Sequence, residues 1–156
     1  MAIKRVAVIG ASGYGGLQSL RLLQSHPDFE ISLLGGERSA GKRWSELCPF
    51  LPLPDDSLVE SPVPATIAGR ADVALLSLPN GLASGLVPEL LERGVRVVDL
   101  SADYRYRSLD QWSSVYAQEA LACKRQDADL CSEAVYGLPE WNASSIATAR
   151  LVAAPG

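Results

Sequence analysis

The sequence predicts a doubly wound α/β domain, a parallel sheet with helices on both faces. Short, continuous apolar runs rich in β-branched residues recur along the chain, amphipathic stretches separate them, and the first run ends in a cluster of glycines. Strands buried on both faces of a sheet require such runs. Parallel neighbours can be joined only by a crossover, which the intervening helices supply.

The elements follow in order. Val6-Ala7-Val8-Ile9 is the first strand, and Leu17, Leu20, Leu22 and Leu23 give a helix from Leu17 to Leu23 its apolar side. That helix stops near Ser25-His26-Pro27, since proline disfavours helical geometry in the residue before it. Ile31-Ser32-Leu33-Leu34 is the second strand and Val73-Ala74-Leu75-Leu76 another. Ala83, Leu86, Val87, Leu90 and Leu91 then share one helical face. Gly94 follows, where a helix ends on a left-handed residue. Val95-Arg96-Val97-Val98 and Arg150-Leu151-Val152-Ala153 are further strands, the last preceded by a short helix over Ala143 to Thr148.

Loops fill the intervals. Gly35 to Arg43 is glycine-rich and basic, Pro49 to Pro64 reads as an extended surface connection, and Lys124 to Glu133 as a polar, exposed stretch. Tyr136-Gly137-Leu138-Pro139-Glu140 reads as a stiffened turn, with Asn142 able to cap the helix after it. No linker suggests a second domain, and 156 residues suit one.

Composition narrows the class. With 47% apolar and 21% charged residues the chain falls outside the disordered and fibrous types. Fourteen basic residues against 18 acidic ones leave no basic stripe for a phosphate backbone, so nucleic acid is not an expected partner. The first apolar run breaks at Gly10, too early for a secretion signal, and no later run reaches the ~20 apolar residues of a membrane span. A cytoplasmic location without a membrane partner is expected. Cys48, Cys123 and Cys131 fit neither a disulfide framework nor a zinc site and should be reduced, with no metal bound. His26, the one histidine, stands beside Pro27 at a helix end, so the chain offers no evident general base.

The glycine turn carries the most chemistry. Gly10-Ala11-Ser12-Gly13-Tyr14-Gly15-Gly16 lies between first strand and first helix, where backbone N–H groups and the helix dipole can hold a pyrophosphate. Gly10 would permit the sharp turn, Gly13 the approach of the dinucleotide and Gly16 close helix–strand packing, as in a Rossmann-type fold. Ser12 occupies the middle glycine's place of the usual G-x-G-x-x-G. Cofactor contacts are expected from Gly10, Ser12, Gly13, Tyr14 and Gly15; the alternative is a tight turn with no ligand. After the second strand, Glu37 could accept from a ribose 2′-hydroxyl, but Arg38, Ser39, Lys42 and Arg43 favour a 2′-phosphate, hence NADPH, over mere solvated loop charges.

Ligands of parallel sheets bind beyond the carboxyl ends of the strands. Pro79 and Asn80 are placed there to run along the cofactor, and Ser101, Asp103 and Arg105 to face a substrate anion. Equally open is a structural loop in which Asn80 caps the next helix and Asp103 pairs with Arg105 or Arg107.

Together, Val8-Ile9-Gly10-Ala11-Ser12-Gly13-Tyr14, Ser39-Ala40-Gly41-Lys42, Asp99-Leu100-Ser101-Ala102-Asp103-Tyr104-Arg105 and Glu133-Ala134-Val135-Tyr136-Gly137-Leu138-Pro139-Glu140 resemble the N-acetyl-γ-glutamyl-phosphate reductase family. That family is related to the aspartate-semialdehyde dehydrogenases. The chain departs from it at Asn80, where histidine is common, at Ala154, where asparagine is, and in a longer loop before Glu133.

The resemblance implies attack of a thiolate on an acyl phosphate, loss of phosphate, and hydride transfer from NADPH to give N-acetylglutamate 5-semialdehyde in arginine biosynthesis, by a homo-oligomer. It also implies that residues 1–156 are the NADP-binding part, inactive alone, with no catalytic residue of their own. The nucleophilic cysteine would follow directly after Pro155-Gly156, and the substrate domain is absent. Alternatives are a non-catalytic NADP-binding or interaction module and a sibling aspartate-semialdehyde-type dehydrogenase. An active short-chain reductase is disfavoured, because no tyrosine has lysine four residues on.

Overall fold

Val6 to Ile9 are each at most 1% exposed, so the first apolar run forms the buried heart of a strand, β1, spanning Lys4–Ile9. The computed structural model describes residues 3–54, 56–116, 125 and 127–156; Cys123 and Lys124 lie outside the described residues. The chain, which reads as one domain in sequence, forms two compact units, Met1–Ser77 and Leu78–Gly156.

In the first unit, helix α1 (Tyr14–Leu23) follows β1 and leads to β2 (Phe29–Gly35). Strand β3 (Val73–Leu76) closes the unit. Strand β1 pairs in parallel with β2 on one side and β3 on the other, as the β-α-β pattern demands. Two short helices were not legible in sequence: α2 (Trp44–Leu47) and α3 (Pro64–Arg70). Four to seven residues give too little periodicity to recognise, although Pro64 marks the start of α3.

The Pro49–Pro64 connection is not wholly a surface loop. Leu51 and Val59 are buried with Trp44, Cys48, Leu20 and Leu34 in the unit's core. The Trp44 indole donates to the Leu51 carbonyl at 2.7 Å, so a partner distant in sequence pulls the loop inward.

In the second unit, β4 (Arg96–Asp99), β5 (Val135–Tyr136) and β6 (Leu151–Ala153) run parallel, with β6 between the other two. The helical face read from Ala83 to Leu91 divides into a 3-10 turn over Ala83–Gly85 and helix α4 (Val87–Glu92). Pro88 is the cause, since proline lacks an amide and fits only a helix's first turn. Gly94 takes the left-handed conformation, with φ of 81°. Helix α5 (Leu109–Tyr116) and helix α6 (Ala128–Glu133) precede β5, and α7 (Pro139–Thr148) precedes β6.

Three sequence expectations are corrected here. Tyr136 belongs to a strand, because β6 supplies its hydrogen-bonding neighbour. Asn142 is a kink inside α7 (φ −123°, ψ 19°) and donates to the Tyr136 carbonyl at 2.9 Å, capping no helix. The stretch before Glu133 is not simply exposed: Cys131 is fully buried and the Arg125 and Asp127 side chains are almost so.

Candidate functional site

Where β1 ends, Gly10 has φ of 80°, and a Cβ there would run into the Ser77 carbonyl oxygen. Only glycine suits both constraints. The Gly10 and Ala11 amides donate to the Gly35 carbonyl at 2.8 and 3.2 Å, and Gly13 donates to Gly10 at 3.0 Å, so the turn is tied to the end of β2. A Cβ on Gly16 would overlap the Gly10 and Ala11 carbonyls, the close helix–strand contact its place in the motif requires.

Helix α1 therefore starts beside the turn, with Gly13 as an N-cap that has no side chain and with no acidic residue in its first turn. The amides of Tyr14, Gly15 and Gly16 open this ten-residue helix and can have no intrahelical acceptor. Ser12, Gly13 and Tyr14 are exposed. The result is an uncapped, uncompensated positive helix end lined by backbone donors, which fits the diphosphate bridge of a dinucleotide.

Beyond β2, a 3-10 turn over Glu37–Ser39 presents the next group. Arg38 and Lys42 are exposed and enter no ion pair among the described residues. Arg43 instead meets Asp56 at 3.4 Å, which withdraws it from the cationic group. Ser39 is 8% exposed and its hydroxyl donates to the Gly36 carbonyl at 3.4 Å. It shapes the turn from inside and is not displayed beside Arg38. Hydrogen bonds from Gly36 to Glu60 and from Gly41 to Val59 fasten this loop to the following segment.

In the second unit, the two strand-end loops hold each other. Asn80 Oδ1 accepts the Ala102 amide at 3.1 Å. Asp103 Oδ1 and Oδ2 accept the Gly81 and Ser84 amides at 2.6 and 3.2 Å. It is thus Asp103, from the far loop, that satisfies the amides at the start of the 3-10 turn, and not Asn80. Neither Arg105 nor Arg107 pairs with Asp103 among the described residues. Pro79 is exposed.

Ser101 and Asp103, placed by sequence toward a substrate anion, face inward. Ser101 is 5% exposed and its amide and hydroxyl donate to Asp99 at 2.9 and 2.8 Å. Asp103 has no exposure at all. Buried carboxylates of this kind satisfy loop amides; they do not receive an anion. Asp99 is fully buried as well, and desolvation pushes its carboxyl up to about 6 despite the Ser101 hydrogen bonds and with help from the Asp103 charge.

Arg105 differs from both. Its Nε donates to the Ala154 carbonyl at 2.9 Å and Nη2 to Leu100 at 3.0 Å. Nη1 has no partner among the described residues and lies close to Gly156. Arg105 and Arg107 line a cavity of about 210 Å³ together with Tyr136, Asn142 and Ser145. That cavity is large enough for a small anion and is bordered by two arginines.

Sequence reasoning missed the cluster behind this loop. The Arg125 guanidinium meets Asp127 through two hydrogen bonds, at 3.0 and 2.8 Å. It stacks over Tyr104 at 4.9 Å and Trp112 at 4.7 Å, and donates to the Asp103 carbonyl at 2.5 Å. The Tyr104 hydroxyl is buried beside the Asp127 carboxylate without a well-formed hydrogen bond; burial, then Asp127, hold the phenol far above its usual range. Burial alone would raise Asp127, but the Arg125 hydrogen bonds and charge, with the Tyr104 hydroxyl nearby, bring its carboxyl below the ordinary value. An arginine in a polar loop gives no sequence signal that distinguishes it from a solvated one. Cys48 and Cys131 are buried, and burial raises both thiols.

Parallel strands joined by helices, with bare helix-end amides beyond β1, define a nucleotide-binding α/β domain. The family described as semialdehyde dehydrogenase, NAD binding domain, matches residues 5–149, and the chain belongs to that family. Among curated relatives, the N-acetyl-gamma-glutamyl-phosphate reductase of Synechococcus sp. (strain CC9605) is 72% identical over 152 residues, 97% of this chain and 43% of the relative. That of Prochlorococcus marinus (strain MIT 9313) is 67% identical over the same shares. The chain thus spans less than half the length of these relatives. Among solved structures, aspartate semialdehyde dehydrogenase with NADP from Candida albicans is 32% identical with a TM-score of 0.60, covering 67% of this chain and 31% of that one. Aspartate semialdehyde dehydrogenase II from Vibrio cholerae, complexed with ASA, shares the fold over 99% of this chain and 42% of its own, at 23% identity and a TM-score of 0.67. Among the described residues no helix is long and apolar enough to cross a membrane.

Proposed function

We propose that this chain is the NADPH-binding part of a cytoplasmic, homo-oligomeric reductase that converts N-acetyl-L-glutamyl 5-phosphate to N-acetyl-L-glutamate 5-semialdehyde in arginine biosynthesis. The observation that carries the proposal is 72% identity across 97% of the chain to a reductase of that name. The aspartate-semialdehyde relative with NADP is far more distant, at 32%.

The amides of Ser12, Tyr14 and Gly15 beyond Gly10 hold the diphosphate, while Gly13, whose amide is on the Gly10 carbonyl, lets it approach the backbone. Arg38 and Lys42 hold the 2′-phosphate while Ser39 keeps their turn in shape. When bound, NADPH supplies the hydride. Arg105 grips the substrate anion through Nη1, the donor left over once Nε and Nη2 have fixed the guanidinium on the Ala154 and Leu100 carbonyls. Ser101 and Asp103 act behind it by holding the loop. The family resemblance implies a nucleophilic cysteine just beyond Gly156; the buried Cys48 and Cys131 thiols, raised by desolvation, are unsuited to attack.

The test is steady-state turnover of the full-length protein with N-acetylglutamyl phosphate and with aspartyl phosphate, each with NADPH. The proposal expects a clear preference for the first. Equal or better use of the aspartyl compound, or no turnover of either, overturns it.

A further inference from the structure

The loop carrying Arg105 is held from two sides. On one, Asp103 takes the Gly81 and Ser84 amides. On the other, Arg125 donates to the Asp103 carbonyl at 2.5 Å and lies over the Tyr104 ring, so it touches the two residues that immediately precede Arg105. Arg125 is in turn immobilised. Its Nε and Nη2 are on Asp127, it also lies over the Trp112 ring, and Cys131 Sγ lies 3.4 Å from Nη2.

The side chains of Arg125 and Asp127 are only 3% and 7% exposed. Every nitrogen of Arg125 makes at least one hydrogen bond to the protein. A buried ion pair gains little stability over well-packed apolar groups, whereas a planar fork hydrogen-bonded to a carboxylate and stacked on aromatic rings fixes backbone position with little freedom. Arginine loses considerable rotamer entropy when it binds, and a site that holds it beforehand avoids part of that loss at the moment of binding.

We propose that Arg125, clasped by Asp127 and stacked on Tyr104 and Trp112, is a positioning residue that sets the Arg105 guanidinium for the acyl-phosphate anion. The inference rests on the reading of Arg105 given above. It adds a part of the long loop before β5 to the substrate-recognition machinery, although that part never meets substrate.

The experiment is a double-mutant cycle in the full-length protein, comparing wild type, Arg105→Ala, Arg125→Lys and the double variant. Lysine keeps the charge but lacks the fork and the stacking plane. Arg125→Lys is expected to raise both the KM for acyl phosphate and the inhibition constant of inorganic phosphate about tenfold, with the KM for NADPH changed less than about twofold. Because Arg125 acts through Arg105, the double variant should be no worse than Arg105→Ala alone. Losses that multiply in the double variant, or acyl-phosphate and NADPH affinities that fall together, overturn the positioning role while leaving Arg105 in place. If Arg105→Ala itself changes nothing, the substrate-grip reading fails and takes this inference with it. Should Arg125→Lys not fold, Asp127→Asn, which loosens the clasp and leaves Arg125, is run through the same cycle with the same outcomes.

Discussion

Asp103 Oδ1 accepts the amide of Gly81 across 22 residues of sequence, at 2.6 Å and out of contact with water. Its other oxygen accepts Ser84. Asp103→Ala leaves both amides without their acceptor, and a buried donor so stranded costs about 1–3 kcal/mol. Chemical denaturation of the full-length protein should show that loss, with Asp103→Asn, which keeps one acceptor oxygen, recovering part of it. Unchanged stability in Asp103→Ala would mean the loops are not tied this way.

Asp99 predicts a pH dependence of definite sign. Burial raises its carboxyl to about 6, above the roughly 3.9 of an unfolded chain. The folded state therefore binds the extra proton between about pH 4 and 6, and this group's contribution to stability is present at low pH and lost as pH rises through that window. The loss amounts to about 2–3 kcal/mol. Asp99→Asn should gain on wild type at pH 7.5 and surrender most of that gain by pH 4.5, as read from paired denaturation curves. A difference that grows on acidification contradicts the assignment.

Gly10 and Gly41 share nearly the same backbone angle, φ of 80° and 81°. A Cβ at Gly41 meets nothing within 4 Å, whereas at Gly10 it strikes the Ser77 carbonyl. Gly41→Ala should cost about 1–2 kcal/mol of backbone strain. Gly10→Ala should add about 1–3 kcal/mol of overlap to the same strain and abolish cofactor binding. Equal unfolding midpoints for the two variants would refute the overlap.

The cationic turn offers a comparison with a built-in control. Arg38→Ala removes a free guanidinium and should weaken NADPH about tenfold, about 1.4 kcal/mol, while leaving NADH untouched. Arg43→Ala removes one already engaged with Asp56 and should change neither. Calorimetric titration at fixed ionic strength distinguishes the two, and a loss of NADPH affinity in Arg43→Ala equal to that in Arg38→Ala would reassign the 2′-phosphate.

The glycine turn and the cationic loop proposed for the nucleotide are legible along the chain because their parts are local. Gly10 through Gly16 act through their own backbone, and the strand and helix on either side are contiguous with them. Arg38 and Lys42 are readable for the same reason. The second unit is less so. Ser101 and Asp103 look like ligand residues by their place after a strand, yet their partners Asp99, Gly81 and Ser84 draw them inside. Arg125 is invisible in sequence because its partners Tyr104 and Trp112 lie in other elements.

The order of side chains alone determined the alternation of buried strands and helices, the glycine turn and the cationic loop after β2, since each depends on residues within a few positions of one another. Only the tertiary structure decided which polar residues after the strands are consumed by the fold and which keep a donor unpartnered. Burial compels every buried amide and carboxylate to find a partner. In this chain those partners arrive from other loops, so Asp103 is turned inward while Nη1 of Arg105 is left without a partner among the described residues.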